Sequence, residues 1–189
     1  MTLGAQAPTI RPVRPEDVPA VVAMVHELAD YERAADQCHL TVDQLEAALF
    51  GPAPALYGHV AVGPQGAPVG FALWFLTFST WEGNHGIHLE DLYVRPAARG
   101  TGAGRALLAA LAALCVERGY RRLEWMMLDW NPAAGFYQTI DARTIDDWVP
   151  YRLAGAALRR LAEQAGGGSS AQSPTARGTA GGAAPVPTG

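Results

Sequence analysis

The chain has 189 residues, with 14 basic and 18 acidic side chains, a formal net charge of −4 and 49% hydrophobic residues. That balance fits one globular domain of about 165 residues and excludes the strongly basic footprint expected of a nucleic-acid binder. No apolar run reaches the length of a membrane span, and the N-terminus lacks the basic-then-apolar form of a signal peptide, so a cytoplasmic location is expected.

In chain order, Thr9 to Val13 reads as a short strand and Arg14-Pro15-Glu16-Asp17 as a helix start with acids in its first turn. Val18, Val21, Val22, Val25, Leu28 and Ala29 then recur with helical spacing and give that helix an apolar stripe. Thr41 caps a second helix that runs to Phe50. Leu56 to Val62 and Val69 to Phe78 are strands joined by the turn Gly63-Pro64-Gln65-Gly66. A long connecting segment over Thr77 to Gly86 follows, of a kind that would cover an acceptor site. His88 to Val94 is a fourth strand, Gly102 to Arg118 a third helix and Leu123 to Leu128 a fifth strand. Asn131 is expected to cap a further helix with Pro132 at its first position. Trp148 to Leu153 reads as a last strand before a short helix to about Gln164. The order implies an α/β domain with a mixed sheet over residues 1–165. Residues 166–189 are almost entirely Gly, Ala, Ser, Thr and Pro with the single charge Arg177. They cannot bury a core and are expected to form a disordered tail.

Cys38 and Cys115 supply no disulfide framework, and Cys115 shares an apolar helix face with Leu107, Leu108, Leu111 and Leu114. It reads as an inert core thiol. His26, His39, His59, His85 and His88 show no metal-ligand spacing, so no metal is expected.

The stretch richest in chemistry is Leu89-Glu90-Asp91-Leu92-Tyr93-Val94 followed by Arg99-Gly100-Thr101-Gly102-Ala103-Gly104. A strand ends, glycines let backbone N–H groups approach a ligand, and a helix N-terminus favours negative charge. The segment looks like a diphosphate cradle. It is not a P-loop, because Gly104 is followed by Arg105-Ala106 where Lys-Ser/Thr is required. It is not a dinucleotide fingerprint either, since the third glycine counted from Gly100 would fall on Arg105. The bland alternative is a helix-start turn built from small residues.

Arg99-Gly100-Thr101-Gly102-Ala103-Gly104 matches the Arg/Gln-x-x-Gly-x-Gly/Ala motif, and here the chain resembles the Gcn5-related N-acetyltransferases (GNAT). With Ile10-Arg11-Pro12, Glu27-Leu28-Ala29-Asp30-Tyr31-Glu32, Trp81, Leu89-Glu90-Asp91, Trp130-Asn131 and Phe136-Tyr137 in order, it is most similar to the diamine (spermidine/spermine) and thialysine N-acetyltransferase branch. The resemblance spans residues 10 to about 153. It implies a mixed, mostly antiparallel central sheet flanked by helices, splayed between strands 4 and 5, with a β-bulge on the fourth strand whose backbone N–H holds the thioester oxygen. It also implies acetyl-CoA as co-substrate and a homodimer.

Acetyl transfer to an amine poses two proton problems. A lysine-like amine has a pKa of ~10.4, so deprotonating it at neutral pH costs about 4–5 kcal/mol. A base must take that proton, directly or through water, and the departing thiolate needs an acid. By resemblance Tyr137 is the acid and Glu90 the base acting through an ordered water. Read from the residues alone, Phe136 and Tyr137 are an aromatic pair, and one of Glu90 and Asp91 faces solvent, because strand neighbours alternate. The resemblance also assigns the cofactor contacts. Arg99 and the amides of Gly100, Thr101, Gly102, Ala103, Gly104 and Arg105 would hold the pyrophosphate. Leu92, Tyr93 and Val94 would run alongside the pantetheine arm, with Leu92 and Val94 pairing to it as an added strand does. Asn131 would contact CoA.

Tyr31, Glu32, Trp81 and Asp91 match positions that face the acceptor amine. Glu32, Glu90 and Asp91 would make an acidic pocket, and Trp81 a surface for an alkyl or ammonium chain. The plain alternatives are a solvated helix end for Glu32 and a loop aromatic packed on the core for Trp81. Ser79 stands where polyamine enzymes often carry an acid, and Asp141-Ala142 where Gly-Ala is usual. This points away from long polyamines toward thialysine-like amino acids or other small amines. The expected function is transfer of acetyl to the primary amine of a small cationic acceptor. The alternatives are a catalytically silent acyl-CoA-binding module and a protein or peptide acetyltransferase.

Overall fold

Alternation of apolar side chains builds a central sheet whose two faces are both covered. The computed structural model describes residues 8–166, and the chain divides into two units, Met1–Asn131 and Pro132–Gly189. The first unit contains β1 (Thr9–Pro12), α1 (Val18–Tyr31), α2 (Val42–Phe50), β2 (Tyr57–Val62), β3 (Pro68–Ser79), β4 (Asn84–Val94), α3 (Ala103–Arg118) and β5 (Leu123–Trp125). The strands lie in the order β1-β2-β3-β4-β5. The first four pair antiparallel and β4 pairs parallel to β5, which is the mixed, mostly antiparallel sheet expected.

One face of the sheet presents Val60, Phe71, Leu73 and Tyr93 to Val18, Val21, Val22 and Met24 of α1 and to Leu45 and Leu49 of α2. Their strand neighbours Ala61 and Ala72, buried on the other side of the pleat, leave room for α3. That helix buries Leu107, Leu108, Leu111 and Cys115 and packs against β2, β3 and β4. The start of α1 is tied to the edge strand through the buried carboxylate of Asp17. It accepts hydrogen bonds from Arg11 Nη2 (2.9 Å) and the Arg14 backbone N–H (2.8 Å). The Arg11 guanidinium holds its carboxyl below the usual carboxylate range.

Several expectations are corrected. The Thr77 to Gly86 segment is a paired hairpin, with Ser79 opposite Asn84, so β4 begins well before His88 and no loose cover exists there. β5 stops at Trp125 and does not reach Leu128, because its partner β4 departs after Leu89. Asn131 is not a helix N-cap. Pro132 and Ala133 form a turn instead of the first helical residues, so α4 (Ala134–Gln138) starts two residues later than expected, from Ala133 with no side-chain cap.

The second unit holds α4 and α5 (Gly155–Gly166). Trp148 to Leu153 is not a strand. A strand exists through its ladder, no described strand pairs with this segment, and Pro150 removes a donor from its middle. The expected tail lies, apart from Gly166, outside the described residues. No described helix is long and apolar enough to cross a membrane.

Candidate active site

The loop between β4 and α3 is built to present backbone donors. A single turn of 3-10 helix, Pro96–Ala98, leads to Gly100 and Gly102 at φ of +79° and +87°. A Cβ at either glycine would meet nothing within 4 Å, so the left-handed backbone itself asks for glycine, and that side of the loop is open to a ligand. Gly102 occupies the N-cap of α3, and no side chain caps the first turn. The first-turn N–H groups, beginning with buried Ala103, point out of the helix start, the kind of end that favours an anion. The loop is braced on β4 by Arg99 Nε donating to Val94 O (3.0 Å), while Thr101 Oγ1 donates to Ala98 O (2.7 Å).

On β4 the ladder skips a residue. Leu73 lies opposite Asp91 and Trp74 opposite Leu89, which leaves Glu90 as a bulge. The skip reverses the alternation. Leu89 faces as Trp74 does, whereas Asp91, two residues on, faces as Leu73 does, toward the α1 and α2 side. Glu90 is exposed. Burial, with Glu90 and Glu32 adding negative charge, pushes the Asp91 carboxyl up to about 6. Desolvation also raises Glu32 at the C-terminal end of α1. Beyond Leu89, the β5 side of β4 has no partner strand among the described residues, so Glu90 to Val94 runs with one open edge. Leu92, Tyr93 and Val94 lie along it.

Beside these acids runs a chain of rings and guanidinium groups. Arg99 stands 5.3 Å from the Tyr31 ring centroid and 5.8 Å from that of Tyr93. Tyr31 is tilted against Trp130 at 6.1 Å, and Arg33 lies 5.2 Å over the Trp130 ring. The end of α1, the end of β4 and the glycine loop therefore meet at one place. Burial, followed by Glu27, raises the Tyr93 phenol, and Arg95 fixes Glu27 through paired bonds of 2.9 and 3.1 Å.

The model of the Acetyltransferase (GNAT) family matches residues 21–140. The chain belongs to that family. It is 34% identical to a thialysine N-epsilon-acetyltransferase of Caenorhabditis elegans over 80% of this chain and 95% of the relative. The Sus scrofa enzyme of the same name is 35% identical over 81% of this chain and 96% of its own length. Among solved structures, an integron cassette protein from the mobile metagenome of V. cholerae superposes with a TM-score of 0.70 at 27% identity, covering 84% of this chain and 99% of that one. The protein is thus a GNAT-type amine N-acetyltransferase.

Within this GNAT domain Tyr31, Glu32, Asp91 and Arg99 lie together at the end of α1, and Glu90 is the exposed neighbour of Asp91 on β4. Trp81 stands apart. It is 90% exposed in the β3–β4 turn. Six ladder positions separate the Ser79–Asn84 pair from Leu73, the partner of Asp91, or about 20 Å along the strand. Asn131 belongs to the first unit, its N–H donating to Leu128 O (3.0 Å). Tyr137 belongs to the second, in α4, where desolvation raises its phenol above the ordinary value. Arg33 was not singled out from the sequence. The available signal was a helix ending without glycine beside the matched Tyr31-Glu32 pair.

Proposed function

We propose that the enzyme moves acetyl from acetyl-CoA to the primary amine of a small cationic acceptor, a diamine, a thialysine-like amino acid or a related amine, by direct transfer in the cytoplasm as a homodimer. The observation that carries this reading is the bulge at Glu90. In one step of chain it turns Asp91 toward Glu32, frees the β4 edge and leads into the glycine loop. Asp91 and Glu32 receive the acceptor's ammonium. Arg99 and the loop amides take the pyrophosphate, and the open edge of β4 takes the pantetheine arm. Glu90, exposed to water, passes the amine proton to solvent through an ordered water. The neutral amine attacks the thioester carbonyl, the oxyanion rests on a bulge N–H, and as the C–S bond breaks the expelled thiolate takes the proton of Tyr137, whose phenolate is restored by the proton that the acetylated nitrogen sheds.

A second reading gives the amine's proton to Asp91 itself, favoured by a carboxyl pushed up to about 6, closer to the operating pH that suits a general base. Glu90→Gln and Asp91→Asn separate the two, since only loss of the true base removes the acidic limb of the pH–rate profile. The overall proposal is tested by incubating the protein with acetyl-CoA and a panel of diamines, thialysine, other amino acids and aminoglycosides, and following free thiol. Amine-dependent thiol release is expected. No release with any amine would overturn it.

A further inference from the structure

We infer that Arg33 reads a carboxylate on the acceptor, so that the preferred acceptor is an amino acid bearing a second amine and not a polyamine. The inference rests on the acceptor site proposed above. It begins at the end of α1, where Arg33 N–H donates to Asp30 O (3.1 Å) and Ala34 N–H to Ala29 O (2.9 Å). This wrapped cap needs a left-handed residue, and Arg33 supplies it at φ +60°. Glycine is favoured there because any Cβ is strained in that conformation. An arginine at a glycine position calls for a use of its side chain.

The guanidinium is held ready. It lies 5.2 Å over Trp130, whose ring is 6.1 Å from that of Tyr31, so it sits one indole away from the acceptor residues. Among the described residues it pairs with no carboxylate, whereas Arg11, Arg95 and Arg122 are engaged by Asp17, Glu27 and Glu124. A planar fork backed by an aromatic face and lacking an internal partner suits bidentate binding of a carboxylate. The charge order gives the discrimination. Glu32 and Asp91 attract the reacting amine, while the next charge outward is positive and repels the second ammonium of a polyamine.

Lysine and cadaverine differ only by the carboxylate and make the decisive pair, with acetyl transfer read as thiol release. The wild type should favour lysine on the order of tenfold or more in kcat/KM. Arg33→Gln should erase that preference by raising KM for lysine with kcat little changed, and kcat/KM for cadaverine should rise as the repulsion is lifted. Arg33→Lys should keep part of the preference. Arg33→Gly should raise Tm by relieving the cap yet lose the preference, a split that a purely structural arginine would not produce. Transfer to amines with a lysine-to-cadaverine ratio unchanged in Arg33→Gln and Arg33→Gly would overturn this inference alone. Absence of transfer to every amine would overturn the acceptor-site reading together with it.

Discussion

At the scale of the residue, the site is held in forms that oppose stability. Asp91 is the clearest case. Its folded-state carboxyl is raised from 3.8 to about 6, so the folded chain retains a proton that the unfolded chain has already lost between those values. The penalty is absent in acid, grows as pH rises from about 4 to about 6, and is complete above that, at most about 3 kcal/mol. Asp91→Asn should therefore melt at a higher temperature than wild type at pH 7–8, converge with it near pH 4, and lose activity. Melting curves of the two proteins across pH check the sign. Gly102→Glu should force a left-handed backbone on a residue with a Cβ and set a carboxylate where phosphate is expected. Affinity for acetyl-CoA should fall on the order of a hundredfold by calorimetry, with an unchanged circular dichroism spectrum. Tyr137→Phe removes one hydroxyl, and turnover should drop about 10²-fold while acetyl-CoA binding persists. The glycine cradle was legible in the sequence because it depends on local backbone freedom. The environment of Asp91 was not, because its partner Glu32 lies far away in the chain and the bulge that turns it inward arises from pairing with β3.

At the scale of the element, the bulge sets how the sheet opens. With Glu90 looped out, Leu89 and Asp91 take adjacent partners on β3. Deleting Glu90 would restore an unbroken ladder without turning any other β4 side chain to the opposite face. The deletion variant should fold and melt at or above the wild-type temperature, yet transfer acetyl poorly. Thermal denaturation and thiol release measured on the same preparation check both halves. The helices α1, α2 and α3 and the strands β1 to β4 could be located from periodicity and caps, because each carries its signal within its own residues. The ends of β4 and β5 could not, since they are fixed by where two strands part company. Nor could the coil at Trp148 to Leu153, where aromatic and β-branched residues mimic a strand that has no neighbour.

At the scale of the whole molecule, that coil leaves much apolar surface. Trp148 is 68% exposed and Tyr151 95%, and Leu158 and Leu161 of α5 are exposed as well. A second copy of the chain is the proposed cover. Removing residues 166–189 should preserve dimer mass and activity, whereas ending the chain at Asp147 should give a monomer. Light scattering on the two truncations, beside a full-length dimer, decides it. The open edge of β4 has a separate consequence for handling and for the cell. A strand with unmatched donors and acceptors will accept any extended backbone, including one from a damaged neighbour. If the pantetheine arm pairs with this edge as proposed, the stretch from Glu90 to Val94 cannot be blunted by proline or covered by a loop without closing that path. On the proposed reading colloidal behaviour becomes tied to metabolite supply, with a CoA-saturated pool shielding this stretch of β4 from foreign chains.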